Sequence, residues 1–508
     1  EAWATQRAAV CRILDLEPTF DKTKQTLFYQ LNEAYHRASA NFKDNAAVRI
    51  EIKDGKEQLV LTGLDKLPEP PSLITLKRQV KAMLPRIDLP ELLLEIDAKT
   101  SFTKEFTHIS QTGSRVKDLH ISICAVLIAE ACNIGLEPLM RPEVPALTRG
   151  RLSWVQQNYI RAETIIRANA RLVDAQTRIE VAQMWGGGEV ASADGLRFSV
   201  PVRTINAAPN SKYFGVGKGV TYYNFTSDQF TGFHGIVIPG TLRDSLFLLE
   251  GLLEQITSLR PIEIITDTAG YSDVVFGLFW VLGYQFSPRI ADIGGARFWR
   301  FDDNVVKGAL DRIARNRINT DLIAFNWDDI LRVAGSLKLG TVSASDLMRS
   351  LQRGNQHSTL SKAIAELGRI AKTLYLLSYI DDESYRRRIA TRINRGESRH
   401  SLSRALFHGQ KGELRQRYRE GQEEQLGALG LVVNVLVLWN TYFIDEALNK
   451  LRSIEQQVLP EDVARLSPLG RKHINMLGRY YFSIDKAIEL GADRPLRDPE
   501  AREDFELL

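Results

Sequence analysis

The spacing of apolar positions divides the chain into stretches of two different periods. Residues 1 to about 45 place Val10, Ile13 and Leu14 at helical intervals, which predicts helix. Two alternating runs follow, Val48-Arg49-Ile50-Glu51-Ile52 and Leu59-Val60-Leu61, with Asp54-Gly55 between them. Alternation on both sides of such a turn predicts a small hairpin. Pro68, Pro70 and Pro71 then interrupt the pattern and mark a first boundary. From Ser72 to about Ile179 the period is helical again. Lys117 to Ile134 predicts a largely buried helix ending at Gly135, and Trp154 to Ile179 a long amphipathic one. Both read as scaffold or interaction surface.

After Met184-Trp185-Gly186-Gly187-Gly188 the period shortens. Arg197–Val202, Val220–Phe225 and Phe233–Ile238 predict three strands with glycines in the turns between them. A helix over Arg243–Ile256, a strand over Ile262–Ile265, a helix over Ser272–Leu282 and a strand over Tyr284–Ile290 complete the run. Three strands, helix, strand, helix, strand describes an α/β domain that begins with a meander. From Gly294 to about Asn394 the pattern is mainly helical. That is too long for a connection inside a compact domain, so an inserted helical subdomain is expected. Helices resume beyond Arg395, one carrying the apolar run Leu429–Trp439, and a polar tail after Leu490 is expected to fray. The resulting division is 1–71 (helix and hairpin), 72–183 (helical scaffold), 184–293 (first part of the α/β core), 294–394 (helical insertion), 395–490 (remainder of that domain) and 491–508 (tail).

Composition narrows the class. At 508 residues, two to four domains are expected, and 44% hydrophobic with 25% charged residues is the balance of a soluble globular protein. The net charge of +4 does not by itself announce a nucleic-acid partner. Cys11, Cys124 and Cys132 have neither disulfide nor metal-binding spacing, which fits a reducing, cytosolic setting, and Cys124 and Cys132, in an apolar helical stretch, are expected to be small core residues. The apolar runs near Ala125 and Leu429 are shorter than a membrane span, so no membrane partner is expected. The chain opens on Glu1 with no visible signal peptide, as a fragment lacking its front would.

Candidate chemistry lies in the carboxylates. Asp267 ends the Ile262–Ile265 strand, at the edge where α/β sheets present their active groups. Asp194, in Ala191-Ser192-Ala193-Asp194-Gly195, falls just before the first predicted strand. If the first and fourth strands are neighbours, both acids reach one edge, where mutual repulsion raises one pKa or recruits a cation. Carboxylate oxygens suit a hard ion such as Mg²⁺, and a pair of such ions serves phosphoryl transfer. A third acid is either Glu397, which follows Gly396 and would open a helix, or one of Glu420, Glu423 and Glu424, which otherwise form a solvated helix face; spacing alone does not choose.

Arginines crowd around Glu397, either as solvated helix faces paired with neighbouring acids or as cations flanking a site; if Glu397 is the third acid of a site acting on DNA, Arg395 and Arg399, which bracket it in sequence, are the expected phosphate contacts, with Arg289 a further one. Trp185, Trp280, Trp299 and Trp439 are expected to pack rather than to stack on bases, and His234 to be a core histidine. His400 and His408 suit supporting roles better than ligation. Ser192, Ser199 and Ser272 lack a neighbouring His/Asp arrangement, and Gly186 to Gly188 lack the lysine and register of a P-loop.

Four strings, Thr266-Asp267-Thr268-Ala269-Gly270-Tyr271-Ser272-Asp273, Asn394-Arg395-Gly396-Glu397, Leu438-Trp439-Asn440-Thr441 and His473-Ile474-Asn475-Met476-Leu477-Gly478-Arg479-Tyr480, resemble the Tn3-family transposases and occur in that family's order. The resemblance is strongest from Met184 to Phe482. It implies an α/β RNase H-like (DDE) catalytic domain with a large helical insertion before its final acid, flanked by mainly α regions. Asp194, Asp267 and Glu397 become the catalytic, metal-holding acids, with Mg²⁺ as cofactor and Mn²⁺ as a possible substitute. Implied too are replicative, cointegrate-forming transposition, with terminal inverted repeats and target DNA as partners, a homodimer, and a bacterial cytoplasmic location, nucleoid-associated on DNA. The alternatives are a hydrolysis-only RNase H-like nuclease, or an inactive truncated transposase that binds DNA or an intact transposase. Members of the family are typically longer, with repeat-binding segments at the amino end.

Overall fold

The computed structural model describes residues 2–53, 55–110, 116–240, 246–267, 272–301, 308–352, 358–478, 480–489 and 492–498. The chain divides into two compact units. The first takes Glu1–Lys66, Arg243–Glu254 and Pro261–Asn394; the second takes Leu67–Leu242, Gln255–Arg260 and Arg395–Leu508. Both mix helices with strands.

In the first unit the predicted amino-terminal helix is two, Ala2–Leu14 and Phe20–Asn41. Asp15 takes a left-handed backbone (φ 54°) and Pro18 follows shortly after, a combination that stops helical propagation. The hairpin forms as Val48–Lys53 paired antiparallel with Lys56–Leu61; Asp54 of its turn lies outside the described residues. The strand Glu263–Thr266 runs parallel to Gln285–Pro288, with the helix Asp273–Val281 following in sequence between them. Ser272 caps that helix by accepting from the Val275 amide. Of the helix expected over Arg243–Ile256, Leu248–Leu253 is helical, and the opening residues lie outside the described ones. The stretch beyond Gly294 contains Thr320–Phe325, Trp327–Lys338, Ala344–Gln352 and Thr359–Asp381.

Glu263 is an acid in a strand whose four residues are all buried. It is held there by Ser287 Oγ at 2.6 Å, the Tyr385 hydroxyl at 3.2 Å and Arg388 at 2.8 Å, which offsets the cost of burying a charge. Helices Asp273–Val281 and Thr359–Asp381 cross at two glycines. A Cβ on Gly368 would collide with the Asp273 carbonyl oxygen, and one on Gly277 with the Ile364 carbonyl oxygen. Asp273 then pairs with Arg369 at 3.3 Å and Lys372 at 3.0 Å. Gly368→Ala gains about 1 kcal/mol of helix propensity but forces two backbones apart, at about 3 kcal/mol for overpacking. A net loss of about 2 kcal/mol in urea unfolding is therefore expected. A protein as stable as the parent would refute the crossing.

The second unit carries the meander. The strand Lys218–Ser227 pairs antiparallel with Val190–Ser199 and with Gly232–Pro239. Its core is organised by the helix Arg419–Ser453, whose residues from Ala428 to Thr441 are almost all buried, with Asn434, Asn440 and Trp439 among them. This helix is long and apolar enough to cross a membrane by length and composition, contrary to the expectation from apolar runs, yet 83% of its most apolar window is buried inside the protein. That is the character of a core helix. The predicted helix over Lys117–Ile134 forms as Leu119–Ala131. The one over Trp154–Ile179 is split into Arg149–Asn158 and Ala162–Gln176. The break is made by Arg161, extended at φ −143°, whose amide donates to Thr164 Oγ1 at 3.1 Å as a helix-start bond.

The three cysteines are free and buried, Cys124 and Cys132 as expected, and burial pushes the Cys132 thiol up to about 12. Two of the family-like strings meet in this unit. His473 Nε2 lies 2.8 Å from Asn440 Oδ1, its ring stacks on Trp439, and Asn440 donates to the Pro468 and Gly470 carbonyls. Residues 492–498 do not fray: Arg494 pairs with Glu91 and Glu95, each at 2.7 Å, and the Arg497 amide donates to the Met83 carbonyl.

Candidate active site

Asp194 lies inside a strand, not before one. Val190–Ser199 is a ten-residue strand in which Asp194 pairs with Asn224, so the ladder fixes where its side chain stands. Its Oδ1 accepts from the Gly195 amide at 2.7 Å and its Oδ2 lies 3.3 Å from His400 Nδ1. Burial alone would raise this acid. The bond to His400 and that ring's charge, the Gly195 amide and the nearby Arg197 outweigh it, and hold the carboxyl below the ordinary aspartate range. The side chain keeps 40% of its surface open.

Glu397 does not open a helix either. Glu383–Leu406 is one continuous helix and Glu397 sits in its interior. Gly396 does not break it, because a lone glycine costs a helix only about 1 kcal/mol. A Cβ at Gly396 would reach ordinary contact, 3.5 Å, with Ser192 Oγ of the acid strand.

Asp194 and Glu397 line one cleft of about 570 Å³, together with Arg197, His400, Arg404 and Arg471. Glu397, His400, Ser401 and Arg404 are spaced three, one and three apart, a single stripe along the helix. Sequence reading gave His400 only a supporting role and assigned Arg404 none. The stripe was the signal that could have found them, once Glu397 is placed mid-helix.

Asp267 stands in the other unit, at the carboxyl end of the Glu263–Thr266 strand, with 55% of its side chain exposed. Arg289 Nη1 is 4.0 Å from its Oδ1, and the Arg289 amide donates to the Thr266 carbonyl at 2.8 Å. Thr268 to Tyr271 of the first family-like string, and Arg479 of the last, lie outside the described residues. Carboxylates open to solvent have the oxygen-donor chemistry that a hard divalent ion takes, and in the cleft two of them face one space. Among the described residues, no group of three His, Cys, Asp or Glu side chains is gathered closely enough to hold a metal.

The bracketing arginines are corrected. Arg399 is 3% exposed and donates to the Phe230 and Gly430 carbonyls at 3.2 and 3.3 Å. Burial lowers it to about 10, with Tyr222 opposing. Arg395 is half-buried, donates to the Asp228 carbonyl at 2.7 Å and lies over the Phe230 ring at 4.4 Å. Both guanidinium groups are engaged by the fold, so neither is presented to a phosphate. The other third-acid candidates lie elsewhere: Glu423 pairs with Arg419 at 2.7 Å, and none of Glu420, Glu423 or Glu424 lines the cleft.

Glu424 is not on a solvated face. Burial, then Glu130, Glu420 and Glu423 push its carboxyl up to about 7, against Arg161. An unfolded glutamate ionises near about pH 4.3, so this native acid keeps a proton that the unfolded chain has lost. Stability from this group therefore falls as pH rises from about 4.3 to about 7. Glu424→Gln is expected to unfold at higher urea than the parent above about pH 7, with the gap closing below about pH 4. Parallel urea-midpoint profiles for the two proteins would overturn this.

His234 is half-buried against the Phe225 ring and burial takes it down to about 4, as a core histidine. Trp185 and Trp439 are buried, with Trp185 Nε1 donating to the Val463 carbonyl.

Comparison with known proteins places these strings. The family described as "Tn3 transposase DDE domain" matches residues 91–480. The transposase for transposon gamma-delta of Escherichia coli strain K12 is 58% identical over 98% of this chain and 50% of its own length. The transposase for transposon Tn4556 of Streptomyces fradiae is 45% identical over 99% of this chain and 56% of its own. The transposase for transposon Tn1546 of Enterococcus faecium is 37% identical over 92% and 46%. The chain spans about half the length of the curated relatives it matches.

Proposed function

Because this chain belongs to the Tn3 transposase family, we propose that it is the DDE-type catalytic part of a transposase that cuts and joins DNA. The observation that carries the reading is the cleft shared by Asp194 and Glu397, two of the three carboxylates that the resemblance to the family implies. Asp267, exposed at a strand end, is the third acid. The fold is read as RNase H-like, with the helices from residue 294 to 394 as the insertion before Glu397.

Asp194, Asp267 and Glu397 would hold the divalent ion, Mg²⁺ with Mn²⁺ as substitute. When bound, such ions activate an attacking oxygen and stabilise the leaving one. The chain's own contribution is placement. The strand ladder fixes Asp194, the Gly195 amide and His400 keep it ionised and aimed, and the helix interior fixes Glu397. Water attacks a phosphodiester at a terminal inverted repeat, releasing a 3′-hydroxyl. That hydroxyl then attacks a target phosphodiester, displacing a target 3′-oxygen and joining the strands, in a replicative route through a cointegrate. Two ends must meet, so the working form is a homodimer, acting on DNA in the bacterial cytoplasm and associated with the nucleoid when bound. Arg289, beside Asp267, is proposed as a phosphate contact.

A strand-transfer assay with a precut end tests the reading. Joined product that requires Mg²⁺ is expected. Cutting of an intact end without joining of the precut one would assign the protein to hydrolysis alone, and neither activity would assign it to DNA binding or to pairing with an intact transposase.

A further inference from the structure

With Arg395 and Arg399 committed to carbonyl groups, the acid cleft needs other cations to meet a phosphate backbone. It has them. Arg197, Arg404 and Arg471 line the same space as Asp194 and Glu397. Guanidinium and carboxylate groups placed together ordinarily pair. Among the described residues, however, neither Arg404 nor Arg471 forms an ion pair with either acid, and Arg404 has no hydrogen-bond or ion-pair partner at all. Arg471 is steadied by a neutral group, donating from Nη1 to the Ser401 carbonyl at 3.0 Å. Arg197 donates to the Gly195 carbonyl at 3.2 Å and lies over the Tyr213 ring at 3.7 Å.

Arg404 is exposed, two helical turns beyond Glu397 and on the same stripe, hence about 10 Å along the axis. Arg404 and Arg471 thus stand in the cleft without being neutralised by its acids. A lone anion would use one guanidinium, whereas a polymer of regularly spaced phosphates engages guanidinium groups from several elements at once.

We infer that Arg404 and Arg471, with Arg197 beside them, grip the phosphates of the DNA strand that is presented to Asp194 and Glu397. This rests on the reading under Proposed function and names the residues that hold its substrate there.

The test uses the full 508-residue chain and a fluorescein-labelled DNA duplex, titrated in EDTA so that binding is read without cleavage. Affinity is measured across a salt series. Arg404→Gln is expected to lower the slope of log affinity against log salt by about 0.9, and the double variant with Arg471→Gln by about 1.8. Arg404→Lys keeps the charge and is expected to keep the slope. Arg452→Gln, which removes an exposed cation paired with Glu180, is expected to leave it unchanged. Unchanged slopes in both glutamine variants, with melting curves like the parent's, would overturn the inference; so would an equal drop from Arg452→Gln. Cleavage by Asp194→Asn, assayed separately in Mg²⁺, isolates the other failure. If that protein still cuts while the arginine variants lose slope, the catalytic reading fails and the DNA contact stands. If cutting is abolished but the slopes do not move, only the arginine assignment fails.

Discussion

Asp194→Asn and Glu397→Gln proteins are expected to lose strand cleavage by about a thousandfold while melting like the parent. Ion-assisted charge stabilisation is worth several kcal/mol, and each ~1.4 kcal/mol is tenfold in rate. The amides keep the shape of the acids. In Asp194→Asn the side-chain carbonyl can still accept from the Gly195 amide, so the ladder through Asn224 persists. Glu397 is exposed in the helix interior, where a neutral glutamine is well tolerated. The same loss is expected for Asp267→Asn. Glu420→Ala is the control that leaves cleavage intact, since Glu420 does not line the cleft. Any one of the three acid variants cutting at a parental rate would remove that residue from the site.

Arg494→Ala is expected to destabilise the second unit by about 3 kcal/mol. Glu95 is 1% exposed and is held by Arg494 on one oxygen and by the Trp439 indole N–H, at 2.8 Å, on the other. Removing the guanidinium strands a buried carboxylate, which typically costs about 3–5 kcal/mol. The remaining Trp439 bond puts this case at the lower end. Urea unfolding followed by tryptophan fluorescence should show a midpoint about 1 M lower. The double variant Glu95→Gln with Arg494→Met should recover part of the loss, because no charge is then left unpaired. A midpoint unmoved by Arg494→Ala would show that residues 492–498 lie on the surface without holding it.

The elements of the α/β part were legible because their signals are local. Val220–Phe225 and Phe233–Ile238 are rich in β-formers and bounded by glycine, and both became strands with one or two residues added at each end. The two acid positions were misplaced for opposite reasons. Ala191-Ser192-Ala193 has none of the bulk that marks a strand, and only cross-strand pairing with Thr226 and Phe225 makes it one. Gly396 resembled a helix boundary, yet the residues on both sides of it are helical. The arginine assignment failed on geometry. Residues two apart on a helix do not face the same way, so Arg395 and Arg399, two before and two after Glu397, share a face with each other and not with it. Neighbours in space lie three, four and seven positions on, which is where His400, Ser401 and Arg404 stand. The Arg494–Glu95 contact had no local signal, since its partners are 399 residues apart.

A side chain aimed by a pleated ladder is aimed digitally. Nine consecutive pairs tie Ala191–Ser199 to Gly219–Ser227, and adding or deleting one residue upstream of Asp194 within them would turn the carboxylate to the opposite face of the sheet. The strand can therefore trade residue types but not length. Insertions and deletions in related chains should collect in the connection after Ser199, residues 200–217, leaving the count of residues from Ala191 to Asp194 invariant.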